Sequence, residues 1–221
     1  MKKKRTLSTI LLILLIIAFL ASGGYLFHYF WMAKQTENEL SQLQQIRQEA
    51  FSDTEEETEV KSETGRSIQK GYRKLYKKNS DLIGWVTVKN TKIDYPVMQT
   101  KDDYSYYLKR NFNKKSSIYG TPFVGEGCGI NPNSDNVIIY GHNMKNGTMF
   151  ADLNKYKDKE FYESHKEVQF DTLTEEGTYK VVYAFVTEVN KKDSFKYYEK
   201  INWNSKDEFN EYVSNLEQRK L

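Results

Sequence analysis

Cysteine is almost missing from this sequence: among 221 residues there is one, Cys128. An internal disulfide is therefore excluded, and the fold must be held by a packed core. Histidine is sparse too, with three residues, His28, His142 and His165. None are spaced as H-x-x-x-H, and the acids lie mostly in a linker or on helix faces, so no metal and no cofactor is expected. No glycine loop has the spacing that cradles phosphates; Gly120, Gly125, Gly127 and Gly129 are scattered through a turn region. Internal repeats are absent. A one-sided charge is missing as well. Of 33 Lys plus Arg, four precede an apolar run, which leaves 29 against 30 Asp plus Glu, a net of −1. So balanced a surface gives no reason to expect nucleic acid as partner.

What is present begins with that apolar run. Lys2, Lys3, Lys4 and Arg5 lead into Leu7–Phe27, which contains no charged residue. As a helix it spans roughly 30 Å, the thickness of a bilayer's hydrocarbon core. Residues 1–6 then form a cytoplasmic basic flank, residues 7–27 a single transmembrane anchor, and everything after it faces outward. Tyr25, Tyr29, Phe30 and Trp31 suit an aromatic belt at the outer interface. The competing reading is a cleaved signal peptide, for which Ala21–Gly24 offers small residues. The length of the run favours the anchor, and both readings export the remainder.

Residues 28–66 read as an extracellular stalk or linker. Leu40, Leu43 and Ile46 recur at near-helical spacing, and an acidic, apolar-poor stretch follows them. A domain is expected over residues 67–221, mainly β with helices. A short helix should present Ile68, Tyr72, Leu75 and Tyr76. Ile83–Gln99 reads as a hairpin with Pro96 at an edge or bulge. "SIYGTPFVG" reads as a strand after a short helical turn at "DDYSYYLKRNF". "NVIIY", apolar on both faces, reads as a central strand. One or two short helices and a second hairpin over "KEVQFDT" and "TYKVVYAFVTEV" come next. Residues 205–219 read as a helix, with Ser205 and Glu208 as a capping box. Mostly strands, with helices at the start and between them, argue for a β-barrel with helical decoration.

Among candidate chemical groups, His142 stands out because it emerges from a buried strand into a polar, flexible loop. His28 is expected at the membrane interface, and His165 in a structural role at a helix end. Cys128 and His142 could form a thiol–imidazole pair. Yet Cys128 lies in a glycine-rich loop that nothing obliges to be rigid, and a nucleophile is normally held on a rigid element near its base.

The stretches "DLIGWVTVKNTKIDYPVMQTKDDYSYYLKRNF", "GTPFV" and "NVIIYGHNMKNGTMFADLNKY" resemble class B sortases, membrane-anchored cysteine transpeptidases of Gram-positive bacteria. The likeness runs from about Asn79 to the end of the sequence. It implies a sortase-like β-barrel with amino-terminal helices and a helix inserted between the sixth and seventh strands. The reaction it implies cleaves an Asn-Pro-type sorting signal at the C-terminus of a secreted protein through a thioacyl enzyme. An amine of the peptidoglycan cross-bridge, or of its lipid-linked precursor, then takes the acyl group. His142 matches the family's catalytic histidine, and Tyr140 and Leu108 match positions that line its substrate groove. The family's nucleophile, in a Thr-Leu-x-Thr-Cys strand, and the Arg of the following strand are not among these residues. On that pattern the barrel is expected to be incomplete, lacking its last two strands, and the 221 residues to be inactive by themselves. The alternatives are a non-catalytic anchored module that binds peptides and a pseudoenzyme remnant.

Overall fold

In a computed structural model, residues 2–53, 59–130, 134–188 and 194–221 are described. The chain divides into two compact units, residues 1–42 and Leu43–Leu221. The acids at 54–58, the loop at 131–133 and the end of the expected second hairpin at 189–193 lie outside the described residues.

The first unit is helical. It belongs to α1, Lys2–Ser52, whose apolar side chains from Ile10 to Leu20 stand exposed. An 18-residue window in it reaches a mean hydropathy of 2.6, making it long and apolar enough to cross a membrane.

The second unit is built on one mixed sheet of six strands in the order β4-β3-β2-β1-β5-β6. β1 (Leu82–Thr87) and β2 (Asp94–Met98) form the first hairpin, with Trp85 opposite Pro96 and a bulge between Leu82 and Gly84. Asn90 turns it at φ 62°, a conformation that Asn tolerates better than most residues. Pro96 causes no loss in the ladder, since β2 meets β3 (Phe123–Val124) only through the parallel pair Met98 and Phe123. β5 (Glu167–Thr172) lies antiparallel on the other side of β1, and β6 (Thr178–Lys180) closes the second hairpin. That hairpin is shorter than the alternating pattern predicts. Val181 still donates to the Lys166 carbonyl, and residues 182–188 join no ladder.

One expectation fails. The strand read as central is β4, Ile139–Tyr140, and it is two residues long at the sheet's edge. Its side chains are half-buried. An apolar run signals a strand covered on both faces only when sheet or helices flank it on both sides. Here β3 is its sole partner among the described residues.

The helices follow the expected positions. α2 (Lys70–Lys78) buries Tyr72 and Leu75 beneath the sheet. 3₁₀ helices run over Tyr106–Lys109 and Phe150–Lys157, and α3 covers Lys159–Ser164. α4, Lys206–Glu217, starts at Ser205, whose hydroxyl accepts from the Glu208 amide at 3.2 Å. The Glu208 carboxylate reaches back to the Asn204 amide at 2.8 Å, one residue earlier than a standard capping box.

Packing begins upstream of Ser67. Leu43 and Ala50, on the last turns of α1, are buried in the second unit. Between them Arg47 enters a nest of Phe51, Tyr72 and Trp85, its guanidinium 5.1–5.6 Å from the three ring centres. Gly71 leaves room for the Phe51 ring, which occupies the place of a Cβ.

Candidate functional site

His142 sits two residues beyond the end of β4 and beside the Tyr106–Lys109 helix, whose Leu108 carbonyl its ring reaches. The loop after it is closed on itself. Phe150 N–H donates to the His142 carbonyl at 2.8 Å, and Asn143 bridges Met149. Asn146 Oδ1 accepts from the Thr148 hydroxyl at 2.7 Å, and its amide donates to Tyr119 Oη at 3.2 Å. Met149 takes φ 56° with its side chain fully buried, and its N–H donates to the Tyr95 hydroxyl at 3.1 Å. With ψ at −133° this backbone lies in a region that side chains rarely enter and costs about 1–3 kcal/mol, which burial of the thioether offsets. Asp152 ties the following helix to the first hairpin by accepting from the Lys92 amide at 2.8 Å. The backbone carrying the imidazole is thus pinned from both sides.

The ring is half-buried, and its Nε2 lies 2.7 Å from the carbonyl oxygen of Leu108. Two of the residues singled out in the sequence, His142 and Leu108, are therefore in direct contact. The Leu108 side chain is 38% exposed beside them. Tyr140, the third, stacks on Phe123 with ring centres 5.5 Å apart and planes at 20°. Burial pushes its phenol above the ordinary value, with Tyr197, Cys128 and Tyr198 close enough to add to the effect. Gly125 is required beside it, because a Cβ there would lie 2.5 Å from the Tyr140 ring.

Tyr197 and Tyr198 have no counterpart in the residues singled out from sequence. They belong to an aromatic segment with Phe195 that packs near the start of β4 and against α4. Phe195 and Tyr212 rings lie 5.4 Å apart, and Tyr212 Oη donates to the Tyr197 carbonyl at 3.2 Å. Asn136 joins this segment to β4 through its amide side chain and the Lys200 carbonyl, 2.7 Å apart. The only signal in the sequence is three aromatics within four residues, "FKYY".

Cys128 is held apart from His142. Its side chain is 4% exposed. The thiol donates toward the Asn136 carbonyl at 3.6 Å and accepts from the Ile138 amide at 3.4 Å. Burial pushes its pKa up, which lowers the thiolate fraction needed for attack. Among the described residues no hydrogen bond joins this thiol to the imidazole.

His165 caps α3, stacking on Phe161 at 3.9 Å with its Nδ1 against the Phe161 carbonyl at 2.8 Å. His28 lies in α1, 6.3 Å from the Trp31 ring. No group of three or more His, Cys, Asp or Glu side chains is placed to hold a metal among the described residues.

Comparison with known proteins identifies the architecture. The sortase domain family matches residues 86–209. A sortase B of Listeria monocytogenes is 34% identical over 172 residues, covering 78% of this chain and 66% of that protein. The chain therefore spans just under two thirds of that relative's length. A sortase B of Staphylococcus aureus is 29% identical over 195 residues, covering 88% of this chain and 74% of that protein. Among solved structures, a Bacillus anthracis protein similar to sortase B superposes with a TM-score of 0.71 at 28% identity, over 85% of this chain and 82% of that one. The mixed sheet with its helices is a sortase-like half-barrel, in which β4 and β6 are the edge strands among the described residues. The chain belongs to the sortase family, and the relatives it resembles are sortases of class B.

Proposed function

We propose that these residues supply the peptide groove and the general base of a sortase B-type cysteine transpeptidase. Its substrate is a secreted protein with an Asn-Pro-type sorting signal, and its acceptor is an amine of the cell-wall cross-bridge or its lipid-linked precursor. The observation that carries the reading is the rim position of His142. The half-buried imidazole is fixed on one nitrogen by Leu108 and flanked by Tyr140, on a strand whose outer edge has no partner among the described residues. A base so placed takes the proton of a thiol as it attacks the scissile carbonyl, then returns it to the departing amine. The acceptor amine later attacks the thioester carbonyl and gives its proton to the same ring, which passes it to the departing sulfur as the C–S bond breaks.

Cys128 does not serve as that thiol, since it is buried and engaged elsewhere. The 221 residues alone bind the sorting peptide without cleaving it. Residues 7–27 anchor the protein, with Lys2–Arg5 on the cytoplasmic side and the domain outside.

The test uses the full chain in detergent micelles and a fluorescent Asn-Pro-type sorting peptide. Saturable binding that a scrambled peptide does not compete, with no cleavage, is the expected result. Absence of binding overturns the groove; robust turnover overturns the inactivity of these residues.

A further inference from the structure

We propose that the backbone carbonyl of Leu108 is the orienting acceptor of His142. It fixes the ring as the Nε2–H tautomer and leaves Nδ1 as the nitrogen that exchanges protons. Tyr107 and Gly120 are the positioning residues that hold this carbonyl. The inference rests on reading His142 as the base of the site.

A carbonyl oxygen can only accept, so the nitrogen 2.7 Å from it must carry the hydrogen. Nδ1 makes no hydrogen bond among the described residues and is the ring's remaining lone pair. The nitrogen that bears the hydrogen is thus set by the partner of the other one, as for histidines oriented by carboxylates. Leu108 is available for this because the last carbonyls of a helix have no partner within it.

The carbonyl is held from beneath. Tyr107 is 1% exposed. Its hydroxyl donates to Asp81 Oδ2 at 2.7 Å and accepts from the Asn79 amide at 2.7 Å. Its own carbonyl accepts from Thr121 N–H at 3.0 Å. From above, Gly120 adopts φ 59° and presses its α-carbon into the space between helix and imidazole. A Cβ at Gly120 would lie 2.6 Å from the Leu108 oxygen, 2.7 Å from the Tyr107 oxygen and 3.1 Å from His142 Cδ2. Any side chain therefore drives the acceptor and the ring apart, and adds the strain of a left-handed non-glycine. During turnover Nδ1 takes the thiol proton, the ring becomes a cation with both nitrogens protonated, and the Leu108 carbonyl keeps hold of Nε2–H throughout.

The test is two-bond ¹H–¹⁵N correlation of the imidazoles in the full chain, labelled with ¹⁵N-histidine in detergent micelles at alkaline pH. His142 is assigned by its loss in His142→Gln. The expected pattern is the Nε2–H tautomer for His142, kept in Leu108→Ala, which retains the carbonyl, and lost or mixed in Gly120→Ala. An Nδ1–H pattern in the unmodified chain overturns the proposal even if Gly120→Ala does not fold. An unchanged tautomer in a folded Gly120→Ala overturns the role of Gly120. The measurement needs neither thiol nor substrate. Failure of peptide binding with the tautomer intact therefore removes the functional reading alone, and the wrong tautomer with binding intact removes this inference alone.

Discussion

Arg47 and Asp171 are separated by 124 residues, yet the guanidinium of one reaches the carboxylate of the other at 3.3 Å. Asp171 is 2% exposed and also accepts from Tyr72 Oη at 2.9 Å and from the Gln169 side chain at 3.1 Å. Arg47 further approaches Asp94 at 3.6 Å. Removing one partner of a buried pair leaves an uncompensated charge, which costs about 3–5 kcal/mol. Arg47→Met, which keeps most of the apolar stem, should lower stability by that amount. Urea unfolding of the full chain in detergent, followed by tryptophan fluorescence, reads it; a loss below about 1 kcal/mol contradicts the prediction.

Cys128 should be a slow thiol. Burial raises its pKa, so at neutral pH it carries less thiolate than a free cysteine. Alkylation by iodoacetamide near pH 7 should lag behind that of glutathione and match it only after unfolding in denaturant. Fast labelling of the native chain would place a reactive cysteine in the loop and reopen Cys128 as a nucleophile.

Alkali should destabilise the domain through its buried phenols. Burial raises Tyr95 to about 12 and pushes Tyr72 and Tyr107 up as well. An ordinary unfolded tyrosine titrates near 10. The folded state thus binds protons that the unfolded state releases. The associated stability is complete below about pH 10 and is lost as pH rises toward 12. Denaturation midpoints measured across that range should fall, and Tyr95→Phe should flatten part of the slope.

Gly125→Ala should disturb the groove without unfolding it. The added methyl meets the Tyr140 ring, and overpacking of this kind costs about 1–3 kcal/mol. The ring must tilt off Phe123, so affinity for the sorting peptide should fall about tenfold, or 1.4 kcal/mol. Fluorescence anisotropy measures it, and an unchanged affinity would remove Tyr140 from the groove.

How much of this was readable in the residues depends on how local the cause is. The hairpin of β1 and β2, the cap at Ser205 and the emergence of His142 from an apolar strand all rest on neighbours within a few positions. The edge position of β4 does not, because which strand flanks another is a long-range fact. Arg47 was hidden for the same reason. In "QQIRQEAF" it looks like a solvated stalk residue, and its partners lie near positions 72, 94 and 171. Gly120 reads as a turn glycine, and only coordinates reveal that two carbonyls and an imidazole crowd the space its side chain would fill.

The junction of β2 with β3 consists of the single pair Met98 and Phe123, supported by Met98 N–H to the Pro122 carbonyl at 2.9 Å. Every other strand junction toward the interior of the sheet is several residues long. Segments joined by so few backbone bonds open independently of the rest, at a free energy below that of global unfolding. In native-state hydrogen exchange the amides of β3 and β4 should therefore form a fast class, distinct from the slow class of β1, β2 and β5. The strand leading to His142 thus belongs to a cooperative unit smaller than the domain, held to the rest more by the side chains of the loop after it than by the ladder.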